Sequence, residues 1–564
     1  MSPIDWTVLI FTLIGITLYG VYRGRKSGGL DGFLRAGRSL PWYHVGLSVM
    51  ATQASAITFL AGPGFGYAHG LEFIQFYLGL PLAVLILCLA FIPNFYKLNI
   101  YTAYEYLEGR FDPKTRALTA FLFLVLRALS TAISVYAPSI ILSALLHIPS
   151  YISTLAVGLL VITYTLTGGS KSVSYTQVLQ MIIIFTGLFT AIFTTLSLLP
   201  PGVHFTQVLK ISGILGHLKA LDLHWNIQEK YNIWSGLIGG LFLQLSYFGT
   251  DQSQVSRYLT GSSIRESKLG LIFNGLVKIP MQFLILMTGV LVFVFFQFNA
   301  PPLAFNPLIK SEIHDSKKSK LYELLEKKHQ EVFILKKDKI QDYLNKSKGS
   351  LSILKPIQDK IKALNLEELS LEKKAIQMHD DSSNSIQTED SNYVFLSFIL
   401  SYLPKGLVGA LIAIIFLSSM GAVASALNSM ASCSLIDFYK RWYKKEESDA
   451  HYLRASKAFT LFWGLVCVFL ALFIGKFDNL IEAVNRIGSY VYGPILGIFL
   501  VGFYFKKVKA NSVFLSAILS EMMVIIAPQL FHMAYLWLNV LGCILVILLS
   551  IILESTIFKP YKPV

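Results

Sequence analysis

Two stretches of the chain place small and hydrogen-bonding residues where an apolar helix would otherwise continue. Residues 48–66 read SVMATQASAITFLAGPGFG, polar at the centre, with Gly62, Pro63 and Gly64 toward one end. Residues 239–254 read GGLFLQLSYFGTDQSQ and carry Gln244, Ser246, Thr250, Asp251 and Gln252. An interrupted helix frees backbone groups, which can then coordinate an ion or a polar solute inside apolar surroundings. Charges are set in apolar runs as well: Arg127, Lys278 and Arg486, with Asp251 and Glu521 as candidate acidic partners. Such charges are costly and usually functional, and Lys278 lies too deep in its run for its ammonium to snorkel easily to water. These residue types point to binding and passage rather than bond-making. The chain holds no HExxH, no GxSxG, no P-loop and no metal-spaced Cys/His cluster.

Long apolar helices must position these groups. The 564 residues are 54% hydrophobic and only 14% charged, with a mean hydropathy of +0.58, a balance that lipid must cover. Reading for stretches of roughly 20 apolar residues gives thirteen candidate spans, the first near 5–22 and the last near 533–556. The expected fold is an all-α polytopic membrane protein. The two interrupted stretches are the second and seventh spans, so they head two five-helix units that enter the membrane from opposite sides. The expected division is a first helix and loop at 1–40, one five-helix unit at 41–200, a loop at 201–231, a second unit at 232–504, and two accessory helices at 505–564.

A net charge of +15 might suggest nucleic acid, but its location excludes that. The segment 309–392 holds 16 Lys and 15 Asp/Glu and is almost neutral. The basic excess lies in the short odd-numbered connections and the C-terminal tail, which places the N-terminus outside and the C-terminus in the cytoplasm. The apolar stretch at 6–22 lacks a preceding positive region and is expected to be an uncleaved span. Cys88, Cys433, Cys467 and Cys543 all sit in or beside apolar runs and are expected to pack rather than to bind metal. Segment 309–392 has apolar residues at helical spacing, breaks at Gly349 and Pro356, and a second periodic stretch over 357–376. An outer helical hairpin follows, serving as a solvated spacer or as a lid or docking module for an outer-face protein partner. Lysine-rich composition points to a bacterial inner membrane.

Six motifs together resemble the sodium:solute symporter family. SVMATQASAITFLAGPGFGY resembles its first core helix and YTLTGGSKSVSYTQVLQ the segment leading into its fifth. YFGTDQSQVSRYL is similar to the sixth, and GLVKIPMQFLILMTG to the seventh. ASALNSMASCSLIDFYKRW looks like the end of the eighth, and IGSYVYGPILGIFLVGFYFKK like the tenth. The order is collinear over nearly the whole chain except 309–392. The resemblance implies a LeuT-type 5+5 inverted repeat and alternating-access uptake of a small hydrophilic solute, a sugar or a small organic anion, coupled to Na+. It implies a solute cavity formed by Gln53, Thr58, Gln75, Gln244, Tyr247, Phe248, Lys278, and Asn485 or Arg486. It places the Na+ ligands at the Ala51 and Ala54 carbonyls and at the positions Ser418, Gly421 and Ala422.

The chain departs from the family's pattern in two places. Gly421 and Ala422 stand where a hydroxyl pair is usual, and Gln177 stands where the fifth core helix usually begins with an acid. Ser425 remains from the second cation region. Ser419 is close enough in sequence to compensate for one hydroxyl. The joint loss of two hydroxyls and a carboxylate implies weak, altered or absent sodium coupling. A proton-coupled or facilitative transporter, or a transporter-like sensor with a separate partner, are the alternatives.

Overall fold

A computed structural model describes residues 1–24, 29–98, 100–306, 309, 318–346, 351–383, 390–474 and 479–558. Among them the secondary structure is helical, apart from one isolated bridge between Leu40 and Gly261. The principal helices are α1 (Pro3–Gly24), α2 (Trp42–Gln53) and α3 (Ala56–His69). A span of mixed helical type, α4 (Glu72–Lys97), precedes the longer α5 (Pro113–Leu146) and α6 (Ser150–Ser197). Then come α7 (Gly240–Thr250), α8 (Gln252–Tyr258), α9 (Ile264–Phe298), α10 (Ser319–Asn345) and α11 (Leu351–Ser383). The chain closes with α12 (Leu407–Cys433), α13 (Asp449–Ala471), α14 (Leu480–Tyr504), α15 (Ala510–Phe531) and α16 (Tyr535–Thr556).

Ten helices among the described residues are long and apolar enough to cross a membrane, or eleven with the bent pair α2 and α3 taken as one span. The thirteen spans expected from the sequence exceed this by two, for identifiable reasons. The fifth, Ser150–Leu166, is a short apolar helix. It is set off from the rest of α6 by Gly169, whose φ of 59° and ψ of 179° interrupt the helix. A side chain at Gly169 would also strike the ring of Phe33, so glycine is required there on two grounds. The seventh is divided at Asp251 into α7 and α8.

Local signals fix the helix starts. Asp112 caps α5 by accepting from Thr115 N at 2.8 Å, with Pro113 in the first turn, where its missing N–H is not needed. Ser263 caps α9 and Ser448 caps α13 in the same way. Helix α9 packs along α2 and α3, α12 along α6, and α14 along α16. At the α3–α9 crossing, an added Cβ on Gly289 would collide with the backbone of Pro63 and Tyr67, so these helices meet through main chain. Asp5 of α1 accepts from the N–H groups of Gly406 (2.6 Å) and Gly409 (3.1 Å), where an acidic group complements the start of α12.

The inserted segment forms a helical hairpin, with α10 against α11, exposed along much of its length and docked on the body at one side. Ile340, Tyr343 and Ile361 are buried in the main core. Leu303, Ala304, Tyr322, Val332, Leu364 and Leu371 belong to a smaller core of their own. Lys336 is buried in an ion pair with Glu368, and His329 Nε2 lies 3.4 Å from Glu372. Pro356 is carried inside α11, which begins at Leu351 and runs past the expected end at 376. Gly349 lies outside the described residues. The neck is closed by Asp390, whose two oxygens accept from Phe305 N (2.8 Å) and Asn306 N (2.7 Å).

Candidate functional site: a charged cavity between two broken helices

The break between α2 and α3 bends the chain by 63°. Ala54 leaves helical geometry (φ −81°, ψ 73°), and Ser55 N donates to Gln53 O instead of to Ala51 O. Thr58 N in turn donates to Ser55 O instead of to Ala54 O. The carbonyls of Ala51 and Ala54 have therefore lost their usual helical donors. Those are the two carbonyls that the family resemblance implies as Na+ ligands.

The second break is built differently. Asp251 caps α8 through Ser253 N (2.8 Å) and also accepts from Ser253 Oγ (2.6 Å). Its other oxygen forms a buried ion pair with Arg127 and accepts from Tyr492 OH at 2.8 Å. Arg127 also donates to Tyr492 OH at 3.1 Å. The freed carbonyl of Thr250 accepts from Tyr104 OH at 3.0 Å. Gln252 bridges to the loop after α4 by donating to Tyr101 O and accepting from Ala103 N. Each exposed backbone group named here has been given a protein partner.

Between the breaks lies a cavity with about 120 Å³ open to the centres of water molecules. A single water needs roughly 10–15 Å³ on that measure, so the space suits several waters or one small solute. Six of the expected solute-site residues line it: Gln53, Thr58, Gln244, Tyr247, Lys278 and Asn485. Gln53 donates to Asn274 Oδ1 at 3.0 Å, and Asn485 Nδ2 donates to its own helix at Ile481 O. Tyr247 accepts from Gln254 and lies under the Arg127 guanidinium, 5.7 Å from the ring centre. Lys278 is only 2% exposed, and no acceptor among the described residues hydrogen-bonds or ion-pairs with its ammonium. Its contact is the Tyr77 ring, 5.6 Å away.

Three expected residues lie elsewhere. Gln75 is a structural tie, donating to Tyr231 O at 3.1 Å and accepting from Asp222 N at 2.8 Å. Phe248 is fully buried in the apolar core, one position round the helix from Tyr247. Arg486 lines a separate cavity with Lys230, Glu482 and Tyr490. Sequence reasoning missed Tyr77, Ser130, Gln282 and Tyr492, and left Arg127 unassigned to the cavity that it also lines. Gln282 and Ser130 could have been found, since they follow Lys278 and Arg127 by four and three residues and share their helix faces.

The expected cation positions are only partly furnished with oxygens. Ser418 Oγ donates to Ile415 O at 2.8 Å, while Gly421 and Ala422 offer no side-chain oxygen. Ser419 Oγ, the neighbouring hydroxyl, donates to Ser134 O on α5 at 2.8 Å. Hard cations take several oxygen ligands, and here Ala51 O, Ala54 O and Ser418 Oγ are the ones available from that set.

Two interrupted helices beside a cavity lined by charged and amide side chains in an apolar bundle define a secondary transporter of the inverted-repeat type. The chain belongs to the sodium:solute symporter family, whose description it matches over residues 33–319 and 375–520. It is 25% identical to the sodium/sialic acid symporter SiaT of Proteus mirabilis (strain HI4320) over 572 residues, covering 99% of this chain and 96% of that one. It is 30% identical to the sodium/iodide cotransporter of Homo sapiens over 295 residues, 52% of this chain and 45% of that one. A solved Na+-coupled sialic acid symporter, in its substrate-bound outward-open state, shares the fold with a TM-score of 0.76 at 22% identity, with 98% of both chains covered. The protein is thus an integral membrane secondary transporter of the LeuT-fold type, not an enzyme.

Proposed function

We propose that this transporter carries a small hydrophilic organic anion, held by Lys278 with Gln53, Gln244 and Asn485 bonding its neutral polar groups. The observation that carries this reading is the Lys278 ammonium, buried at the cavity without a carboxylate partner among the described residues. Arg127, which also lines the cavity, is paired with Asp251, so Lys278 is the lining cation without an acidic partner among the described residues. Burying a lone charge is expensive, and a solute carboxylate would relieve that cost. Relatives named for sialic acid, iodide and monocarboxylates all carry anions, which supports the same class. Amide-lined walls suit a polyhydroxylated neutral sugar as the competing solute.

Coupling to Na+ at Ala51, Ala54 and Ser418 is part of this proposal, with the missing oxygens at Gly421 and Ala422 weakening the site. The proposed setting is a bacterial inner membrane with the N-terminus outside, the C-terminus cytoplasmic, and 309–392 on the outer face, where a protein partner could dock. The proposed repeats are 41–200 and 232–504. Uptake by proteoliposomes tests the reading: labelled carboxylated solutes should enter, and Lys278→Met should reduce that uptake. Uptake of a neutral sugar that is indifferent to Lys278→Met would sink it.

A further inference from the structure

The cation region beside α2 contains an arrangement that the missing carboxylate explains. Gln177, on the part of α6 that follows Gly169, is completely buried. Its amide nitrogen lies 2.8 Å from Ser425 Oγ, 3.1 Å from Gly421 O and 3.2 Å from Thr52 Oγ1, with two N–H donors to share among the three. Its amide oxygen accepts from Ser48 Oγ at 2.6 Å. One NH2 group thus sits among three oxygens drawn from α2 and α12, held from behind by α6.

The protons in this cluster are already assigned. Thr52 Oγ1 donates to Ser48 O at 2.8 Å, and Ser48 Oγ donates to Gln177. The contact of 3.0 Å between Thr52 Oγ1 and Ser425 Oγ then takes the Ser425 proton. The side-chain donor left for Gly421 O is the Gln177 nitrogen. Next to it, Gln180 fills the space a side chain on residue 421 would need, since an added Cβ there would collide with Gln180 Oε1. Gln180 thus fills the space beside Gly421, although neither of its own amide atoms finds a hydrogen-bond partner among the described residues.

We propose that the Gln177 amide nitrogen takes the place of a bound monovalent cation between α2, α6 and α12, joining these helices permanently where an ion would join them conditionally. A carboxylate at 177 reverses the arrangement. It would set a negative oxygen against Gly421 O with no proton between them, and a cation is what reconciles two such acceptors. Gln177 is thus a specificity-determining residue for ion stoichiometry, independent of which solute the cavity takes.

The test is thermal unfolding of the full-length detergent-purified protein at pH 8, in rising NaCl against choline chloride at matched ionic strength. Gln177→Asp and Gln177→Glu should melt lower than wild type in choline. Each should gain a saturable sodium-specific rise, roughly 2–5 °C beyond any rise in wild type. Carboxylate variants that fold but respond to sodium no more than wild type overturn the proposal. If neither variant can be recovered, Gln177→Leu decides. Equal loss of stability in sodium and in choline supports the amide as ion substitute. A wild-type sodium response that leucine abolishes overturns it.

Discussion

The two breaks occupy equivalent places in the two repeats, yet they are finished in opposite ways. At residues 53–55 no side-chain charge is used, and the carbonyls of Ala51 and Ala54 are left without their helical donors. At Asp251 a carboxylate, an arginine, two tyrosines and a glutamine fasten the interrupted backbone and its neighbours. One break leaves acceptors open; the other seals itself. Inverted repeats fix where a helix is interrupted, while the side chains decide whether the freed backbone is available to an ion or committed to the protein.

Removing the seal should have the largest effect. Asp251→Ala uncaps α8 and strands Arg127, and breaking such a buried pair costs about 3–5 kcal/mol. Melting temperature and uptake should both fall sharply, and the double variant Arg127→Met/Asp251→Leu should regain much of the melting temperature but not the uptake. Full stability in Asp251→Ala would mean the second break is not held as described.

Next comes Lys278, which touches neither break's backbone. Lys278→Met should weaken solute binding roughly tenfold to a hundredfold, the equivalent of about 1.5–3 kcal/mol for a charge-assisted hydrogen bond. Because an unpaired buried charge is removed, melting temperature should hold or rise. A parallel loss of both would instead mark Lys278 as structural.

The open break should prove softer. Gln53→Leu deletes the hydrogen bond to Asn274 and the longer one to Val49 O, and should cost about 1–2 kcal/mol, below the Asp251 effect. Equal costs at the two breaks, measured in the same melting series, would erase the contrast between them.

The smallest expected effect concerns His217, outside the spans. Burial, including its stack on Phe293, pushes its pKa down to about 4, although its ring nitrogens lie near Tyr67 O and Leu215 O. With the folded value below the unfolded one near 6.5, its stabilising contribution is complete above about pH 6.5 and is lost as pH falls toward 4. His217→Phe should therefore flatten part of the decline in melting temperature between pH 7 and pH 5. An unchanged slope would show that the imidazole does not titrate against folding.

Much of this was legible in the sequence because a break needs small and polar residues where apolar ones are otherwise required. The break around residues 48–66 and Asp251 advertise themselves on that ground, as does Lys278 by its charge, while Ala51 and Ala54 are singled out only through the family resemblance. What the sequence could not give was rotational phase. Successive residues on a helix point about 100° apart, and the pattern alone did not say which of Tyr247 and Phe248, or of Asn485 and Arg486, turns to the cavity. Tyr247 and Asn485 face it. Gln75 was illegible for another reason: its partners, Tyr231 and Asp222, lie some 150 residues away in a loop with no periodic signal. The Gln177 cluster was half legible. The missing acid was visible, but not that an amide nitrogen had moved into an ion's surroundings.

The carboxylate of Asp390 has one further consequence. By holding the chain at Phe305 and Asn306, it brings the two ends of the inserted hairpin together before the hairpin begins. To the membrane body, everything between those ends is then a closed loop, whose entropic cost grows only with the logarithm of its length, about 0.6 kcal/mol per doubling. That makes the neck a socket: the hairpin could be lengthened at its far end, or carry a reporter there, at little entropic cost, provided Ile340, Tyr343 and Ile361 keep their places in the main core.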